Sequence, residues 1–521
     1  MTFFRRHRLA VLLILALLVQ TAVYLFVGTK KAYFHMDEAY SFGLSNYSQV
    51  EIQDNPDFYN TWHDSSYYAD YLQVDTDERW DFTPVYTNQR DDVHPPLYYL
   101  FLRLTMELTA GRITKWGGIA LNILIFASIT VFTFLIAKRL WPRTARGELI
   151  ALLVSFVSSI TLASLASVVY IRMYALSTLN ILVITYLHLL LQDAYTRRHL
   201  ILILLVALIG SLTHYFFLFY LGVLFILTLI KRLRTHQPFW GYVLAFVVAA
   251  VLSLLIFPHS ITHLFFSHRG SGALSNLANP SALLQIGSFL WLVQTYVFNH
   301  LLVLLLLFMF IAFLVARRKR LSIPKLSPNF WLAFWPTLAY FFIVAIASPY
   351  IELRYIMPVC PLIFVLTFYF ASNLVEPLLT ASRSKAVLIS TLALIAIVPI
   401  FTPIPPQQNL YLGYDSLISR VSKAHTLPML YWFNSSHNRF LDDIYLFTLV
   451  DKSYVAKDQE LTSANLEAVL ADTDYSKGLI VIINEGFDHH EVLSKLINHT
   501  GLNSYSQLYH LNAADIYLIS P

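Results

Sequence analysis

Charge is what this chain has least of. Only 13% of its 521 residues are Asp, Glu, Lys or Arg, against about 25% in a typical soluble domain. A deficit of that size excludes an ordinary soluble enzyme. Hydrophobic residues make up 57% and aromatic residues 15%, and the mean hydropathy is +0.58. The composition is that of a multi-pass membrane protein. Cysteine is almost missing too. The single Cys360 excludes an intramolecular disulfide and any cysteine-built metal site. There is no internal repeat, no low-complexity tract and no glycine-rich phosphate loop. The net charge of +5 comes from basic residues in short loops, a mark of membrane topology and not of nucleic-acid binding. The N-x-S/T triplets at Asn46, Asn434 and Asn498 are about as many as chance supplies.

What is present is a series of apolar runs. The start, "MTFFRRHR" followed by "LAVLLILALLVQTAVYLFVG", has a core of about 20 residues, longer than the roughly 7–15 of a signal peptide. It reads as a retained first transmembrane helix. Runs near 9–27, 117–138, 148–168, 172–191, 199–213, 214–230, 239–257, 298–316, 329–347, 355–372 and 386–403 each approach the ~20 residues that a bilayer core requires. With the N-terminal arginines in the cytoplasm, "AKRLWPRTARGE", "QDAYTRRH", "KRLRTHQ", "ARRKR" and "ASRSK" all fall on the cytoplasmic side, as the positive-inside rule demands. The expected fold is an α-helical multi-pass membrane protein of about eleven transmembrane helices with a small C-terminal extracytoplasmic α/β domain. The expected domains are 1–403, with a long outer loop at about 28–116, and 404–521, joined by the proline-rich "FTPIPPQQ". In the tail, strand-like "LPMLYWFN", "GLIVIINE" and "DIYLIS" alternate with helix-like "TSANLEAVLAD" and "HHEVLSKLINHT".

Five stretches then meet at the outer membrane face. "YFHMDEAYSF" carries Asp37 and Glu38, adjacent residues that point in different directions on a helix or a strand, so one can act while the other orients or binds. It is either the start of a solvated acidic loop or, given Tyr33, Phe34, Tyr40 and Phe42, a partly buried carboxylate with a raised pKa suited to a base. "DDVHPPLYYLFLRL" carries Asp92 and His94. The two prolines preset a helix start, which makes His94 the expected cap of an interfacial helix and its N-terminus an anion site. "ASVVYIRMYALSTLN" carries Arg172 and Tyr174. "LTHYFFLFY" carries His214 and Tyr215. "SPYIELRYIMPVCP" carries Glu352, Arg354 and Tyr355. Arg172 alone could be snorkelling to headgroups. Carboxylates among several cations and tyrosines instead suit transfer from a phosphate-activated donor held in lipid.

In that order, "DEAYSF", "HPPLYY", "IRMYAL", "HYFF" and "RYIMPVCP" resemble the GT-C class of membrane glycosyltransferases, in particular the branch of the protein O-mannosyltransferases and the aminoarabinose transferase of lipid A (glycosyltransferase family 39 type). The resemblance covers about residues 1–400 and leaves the tail without a motif. It implies a sugar taken from a polyprenyl monophosphate on the extracytoplasmic face with inversion. It makes Asp37, with Glu38 beside it, the catalytic base. It points to His94, Arg354 and Tyr355 for the donor phosphate. The residues gathered at the outer face add Arg172 to that set and Asp92, Tyr174, His214, Tyr215 and Glu352 as the expected substrate lining. The stretch before Arg172 departs from the relatives: "Val-Tyr-Ile" stands where many have an acidic residue. The partners implied are a polyprenyl-phosphate-linked sugar, an extracytoplasmic acceptor (cell-envelope polymer, glycolipid or protein) and the bilayer of a bacterial plasma membrane. No cofactor is expected. A divalent metal beside Asp37 and Glu38 stays open, although no His/Asp/Glu set has ligand spacing. A multi-pass transporter and a polysaccharide polymerase or ligase are the competing readings. A transporter would place ionisable groups near the midplane, often in repeats.

Overall fold

The computed structural model describes residues 2–46, 52, 55, 57–141, 144–278, 283–379, 381–401, 411–433, 440–460, 462–511 and 514–521. The expected boundary at 403/404, most of the proline-rich linker and Asn434 lie outside the described residues. In chain order the first helices are α1 (Thr2–Lys30), α2 (Met36–Asn46), α3 (Ser65–Leu72), α4 (Thr83–Asp91), α5 (Leu97–Leu108) and α6 (Lys115–Leu140). There follow α7 (Ala145–Ser159), α8 (Leu162–Val169), α9 (Tyr174–Asp193), α10 (Arg197–Ser211), α11 (Phe217–Arg234), α12 (Trp240–Ile256), α13 (Ser260–Phe265) and α14 (His268–Ala278). Next come α15 (Leu283–Leu292), α16 (Leu302–Arg318), α17 (Pro328–Ala347), α18 (Leu353–Ile356), α19 (Cys360–Val375) and α20 (Ala381–Phe401). The tail adds α21 (Tyr414–Lys423), α22 (Phe440–Phe447), α23 (Ser463–Leu470) and α24 (His489–Thr500).

The chain divides into two compact units. One comprises Met1–Thr29, Gln89–Tyr98 and Ile119–Gln407, and the other Lys30–Asn88, Tyr99–Gly118 and Gln408–Pro521. The first unit is helical. Among the described residues, His7–Lys30, Lys115–Leu140, Tyr174–Asp193, Pro328–Ala347 and Leu353–Leu378 are long and apolar enough to cross a membrane. Three bent pairs bring the total to eight if each is one span: α7 with α8 at 54°, α12 with α13 and α14 at 101°, and α15, extended by a π-turn, with α16 at 94°. Helices also form at the expected runs of α10 and α11. The 15 residues of α10 are short for a crossing, and the last turn of α11 carries three basic residues.

Local chemistry sets the breaks. The α7/α8 bend lies where helix ends leave backbone groups unpaired. The Tyr24 hydroxyl donates to the Ser159 carbonyl at 2.6 Å, and Thr161 caps α8 by accepting from the Ser164 N–H. At the other end of α8, the buried Asn122 amide donates to the Val168 and Tyr170 carbonyls at 3.1 and 2.9 Å. That contact holds the turn Tyr170–Met173 in place.

The second unit is built on a six-stranded mixed sheet: β1 (Trp62–Asp64), β2 (Met429–Phe433), β3 (Lys452–Lys457), β4 (Leu479–Asn484), β5 (Ser504–His510) and β6 (Ala514–Ser520). The order is β1-β3-β2-β4-β6-β5. The three central strands are parallel, and β1, β6 and β5 join antiparallel. Every residue of β2 and β4 is buried. Their unbroken apolar runs are the pattern of strands covered on both faces. Leu430, Trp432, Val481 and Ile483 pack with Val469 and Leu470 of α23 and Val492, Leu493 and Leu496 of α24. The strands and helices expected in the tail therefore form, and β1 shows that the first long loop supplies an edge strand to the same sheet. That loop also carries α2, α3, α4 and α5. Arg103 and Glu107, both fully buried, pair at 3.0 Å. Arg103 also donates to the Asn46 and Glu78 carbonyls at 3.2 and 2.7 Å, which gathers three segments of the loop around one guanidinium.

Candidate functional site

The residues singled out in the sequence fall into two groups, one in each unit. In the helical unit the turn after α8 presents Arg172, 5% exposed, between Tyr170 and Tyr174, whose rings stack 5.9 Å apart. Arg354 donates from one guanidinium nitrogen to the Tyr170 hydroxyl at 3.0 Å and lies 5.2 Å over the Tyr355 ring. Tyr355 meets Phe216 at 6.0 Å, Phe216 meets His214 at 5.1 Å, and His214 meets Tyr174 at 5.4 Å. The contacts close a circuit of rings drawn from the α8–α9 turn, the α10–α11 turn and α18. His94 joins it through His214, with ring centres 6.3 Å apart.

His94 donates from Nδ1 to the Asp92 carboxylate at 2.7 Å, which leaves Nε2 as the acceptor of the neutral ring. Burial pushes the His94 imidazole below its ordinary value against the pull of Asp92. Burial also pushes the Asp92 carboxyl up, but His94, Arg172 and the Val93 backbone outweigh it and hold the acid below its usual range. His214 accepts the Phe216 N–H at Nδ1, 3.1 Å away, so its Nε2 carries the proton and donates. The group therefore offers two guanidinium groups, a neutral imidazole donor and tyrosine hydroxyls. Such a set matches a phosphate oxyanion.

One expectation needs correction. His94 is not the cap of α5, which begins only at Leu97. Pro95 precedes another proline and is held out of the helical region, and the Leu97 N–H donates instead to the Leu212 carbonyl at 3.0 Å. Tyr215 does not join the ring circuit. Its hydroxyl donates to His263 Nδ1 at 2.8 Å, and His263 Nε2 donates in turn to the Arg90 carbonyl at 3.1 Å. Tyr215 thus ties α13 to the segment before His94. Glu352 lies within electrostatic reach of Tyr296, burial pushes its carboxyl up, and its carbonyl accepts the Tyr355 N–H at 3.3 Å. Two contributors, Tyr170 and Asn122, escaped the sequence reading. Tyr170 lies two places before Arg172, but nothing local distinguishes it from an interfacial anchor.

In the second unit, Asp37 and Glu38 sit in the first turn of α2. Glu38 is fully buried and ion-pairs at 2.8 Å with Lys31, itself fully buried. Glu38 also accepts the His35 N–H at 2.7 Å. Burial pushes the Lys31 ammonium below its ordinary value against the pull of Glu38. The Asp37 carboxylate remains 18% exposed. Of the two adjacent carboxylates, Glu38 is the buried, ion-paired one and Asp37 the partly exposed one. His35 accepts the Asp37 N–H at Nδ1, 3.0 Å away. Among the described residues, no three His, Cys, Asp or Glu side chains come together so as to hold a metal ion.

No protein-family model matches the chain, and no curated protein does. Solved structures do match over nearly its whole length. The structure of ArnT from Cupriavidus metallidurans bound to undecaprenyl phosphate is 12% identical and covers 96% of this chain and 97% of its own, with a TM-score of 0.51. An Archaeoglobus fulgidus oligosaccharyltransferase in complex with Zn and sulfate is 11% identical and covers 97% of this chain and 72% of its own, with a TM-score of 0.50. The chain shares the fold of these two structures.

Proposed function

We propose that this protein is a membrane glycosyltransferase that moves a sugar from a polyprenyl-phosphate donor to an acceptor on the extracytoplasmic side. The carrying observation is the circuit that joins Arg354, Tyr170, Tyr174, His214, Phe216 and Tyr355 at the ends of apolar helices, with Arg172 in the turn whose N–H donates to the Tyr170 carbonyl. This circuit belongs to a fold that another protein, ArnT, uses with undecaprenyl phosphate bound. In this reading about eleven helices cross a bacterial plasma membrane, with the N-terminus in the cytoplasm and the C-terminal unit outside.

Asp37 takes the proton from an acceptor hydroxyl or amine as its oxygen or nitrogen bonds to the anomeric carbon. The bond from that carbon to the phosphate oxygen breaks, its electrons leave with the lipid phosphate, and the anomeric centre inverts in the single displacement. Arg172 and Arg354 stabilise the charge that grows on the departing phosphate, and His214 donates to it through Nε2. His94, held by Asp92, offers Nε2 to the same group when protonated. Loss of one such donor costs about 10²–10³ in rate. The test is transfer of sugar from radiolabelled polyprenyl-phosphate sugars in proteoliposomes by wild type, Asp37→Asn and Arg172→Ala. Release of lipid phosphate that disappears in Asp37→Asn supports the reading. Near-normal turnover by Asp37→Asn removes the base. Failure of wild type on a broad donor panel, verified with a known transferase, removes the reaction.

A further inference from the structure

The N-terminus of α2 has every one of its first backbone donors accounted for. An α-helix leaves its first four N–H groups without an intrahelical partner. Here the Glu38 and Ala39 N–H groups reach the His35 carbonyl at 2.8 and 3.0 Å. Asp37 N–H goes to His35 Nδ1, and Glu38 reaches back to the His35 N–H. The Glu38 arm is that of a capping box, and His35 supplies the side-chain cap through the Asp37 N–H. The remaining donor, Met36 N–H, is taken by a carboxylate 406 residues away: Asp442 Oδ1 accepts it at 2.8 Å. Asp442 lies in the first turn of α22. Around it Tyr33, Phe34 and Tyr445 pack edge to face at 5.3–6.0 Å, and Phe34 does so with Phe42 of α2 at 5.4 Å. The helix that carries Asp37 is thus held at its first residue by the C-terminal part of the chain.

We propose that Asp442 is a positioning residue for Asp37, acting through the Met36 N–H, so that the C-terminal segment belongs to the catalytic apparatus. The proposal rests on the reading of Asp37 as the base. The Asp442 carboxylate restrains the first turn of α2 and with it the direction of the Asp37 side chain one residue on. Displacement of a catalytic group by about 1 Å costs as much as 10² in rate.

The experiment is a cycle in the full-length protein in proteoliposomes, read with the same donor assay, with Asp442→Ala, Asp442→Asn and Met36→Pro. Proline is tolerated at the first helical position and lacks the N–H, so Met36→Pro removes the donor without a change at Asp442. Asp442→Ala is expected to lower kcat about 10- to 100-fold with donor KM within about twofold, and Asp442→Asn, which keeps an acceptor oxygen, to recover most of it. In the Met36→Pro background Asp442→Ala is expected to have less than about a twofold further effect, because the interaction is already gone. Amide exchange at Met36 and Asp37 is expected to quicken in Asp442→Ala. A full Asp442→Ala effect in the Met36→Pro background, unchanged exchange at Met36, or an Asn variant as poor as Ala would each overturn the proposal. If Asp37→Asn turns over normally while the exchange result holds, the base reading fails and the contact between Asp442 and α2 survives it.

Discussion

The Lys31–Glu38 pair makes the sharpest stability prediction. Both side chains are fully buried and 2.8 Å apart. At an effective dielectric of about 20 two unit charges at that distance attract by about 6 kcal/mol. Removal of two ions from water costs several kcal/mol each. Lys31 shows which side wins: its pKa is lowered, with burial the leading cause and Glu38 opposing it. Burial of the two ions thus offsets much of their attraction, and breaking the pair strands a charge. Lys31→Met alone is expected to cost about 3–5 kcal/mol. For a unit of roughly 200 residues that is a fall in Tm of about 6–20 °C. The double variant Lys31→Met/Glu38→Gln, which keeps an oxygen for the His35 N–H, is expected to recover most of the loss. The assay is thermal unfolding of purified protein in detergent, followed by the near-UV signal of the tyrosine-rich second unit. Glu38→Gln alone carries a pH signature. It lowers the Lys31 pKa further, so the unfolded state binds the proton more readily and stability rises with pH. Its deficit should shrink from pH 7 to pH 10. A Lys31→Met shift under about 2 °C, or a double variant as unstable as the two singles summed, would refute the buried-pair reasoning.

Other consequences are open to test. Asp443 is 5% exposed, and burial, aided by Asp442, pushes its carboxyl well above the usual range. Its contribution is intact below the unfolded value near 3.8 and is lost as pH rises through the folded value. Asp443→Asn should accordingly raise Tm at pH 8, with the gain vanishing toward pH 4; an equal gain at both pH values would contradict the burial. Gly43 lies against the Tyr71 ring so closely that a Cβ would fall 2.2 Å from Tyr71 Cζ. Gly43→Ala should cost about 1–3 kcal/mol by overpacking in chemical denaturation, whereas Gly222→Ala, in open space on α11, should not. Asn122→Ala removes the amide that donates to the Val168 and Tyr170 carbonyls and should lower kcat/KM about 10- to 100-fold through the Arg172 turn. Activity equal to wild type would show that the turn holds by itself.

Much of this architecture was open to reading in the chain alone. A bilayer core demands apolar runs of fixed length, so composition and run length by themselves announced the membrane helices, at Tyr174–Asp193 and Pro328–Ala347 for instance. Alternation of buried strands with amphipathic helices likewise exposed the tail around "GLIVIINE" and "HHEVLSKLINHT". Short local patterns marked Asp37, Arg172 and Arg354, because charges and carboxylates beside lipid are costly enough to stand out. What stayed hidden was everything that depends on partners distant in sequence. The strand Trp62–Asp64 is three residues with no periodicity of its own, and it exists because Lys452–Asp64 and Tyr454–Trp62 pair across the sheet. That Glu38 is buried and Asp37 partly exposed could not be read from two adjacent carboxylates, since Lys31 and the His35 N–H take the Glu38 carboxylate. Nothing near Tyr215 in sequence announces that His263 takes its hydroxyl. The sequence determined which segments had to leave water and which groups were too costly to place by accident. Only tertiary structure decided which of those groups face one another, because a hydrogen bond or an ion pair is set by distances of about 3 Å that hundreds of intervening residues must fold to create.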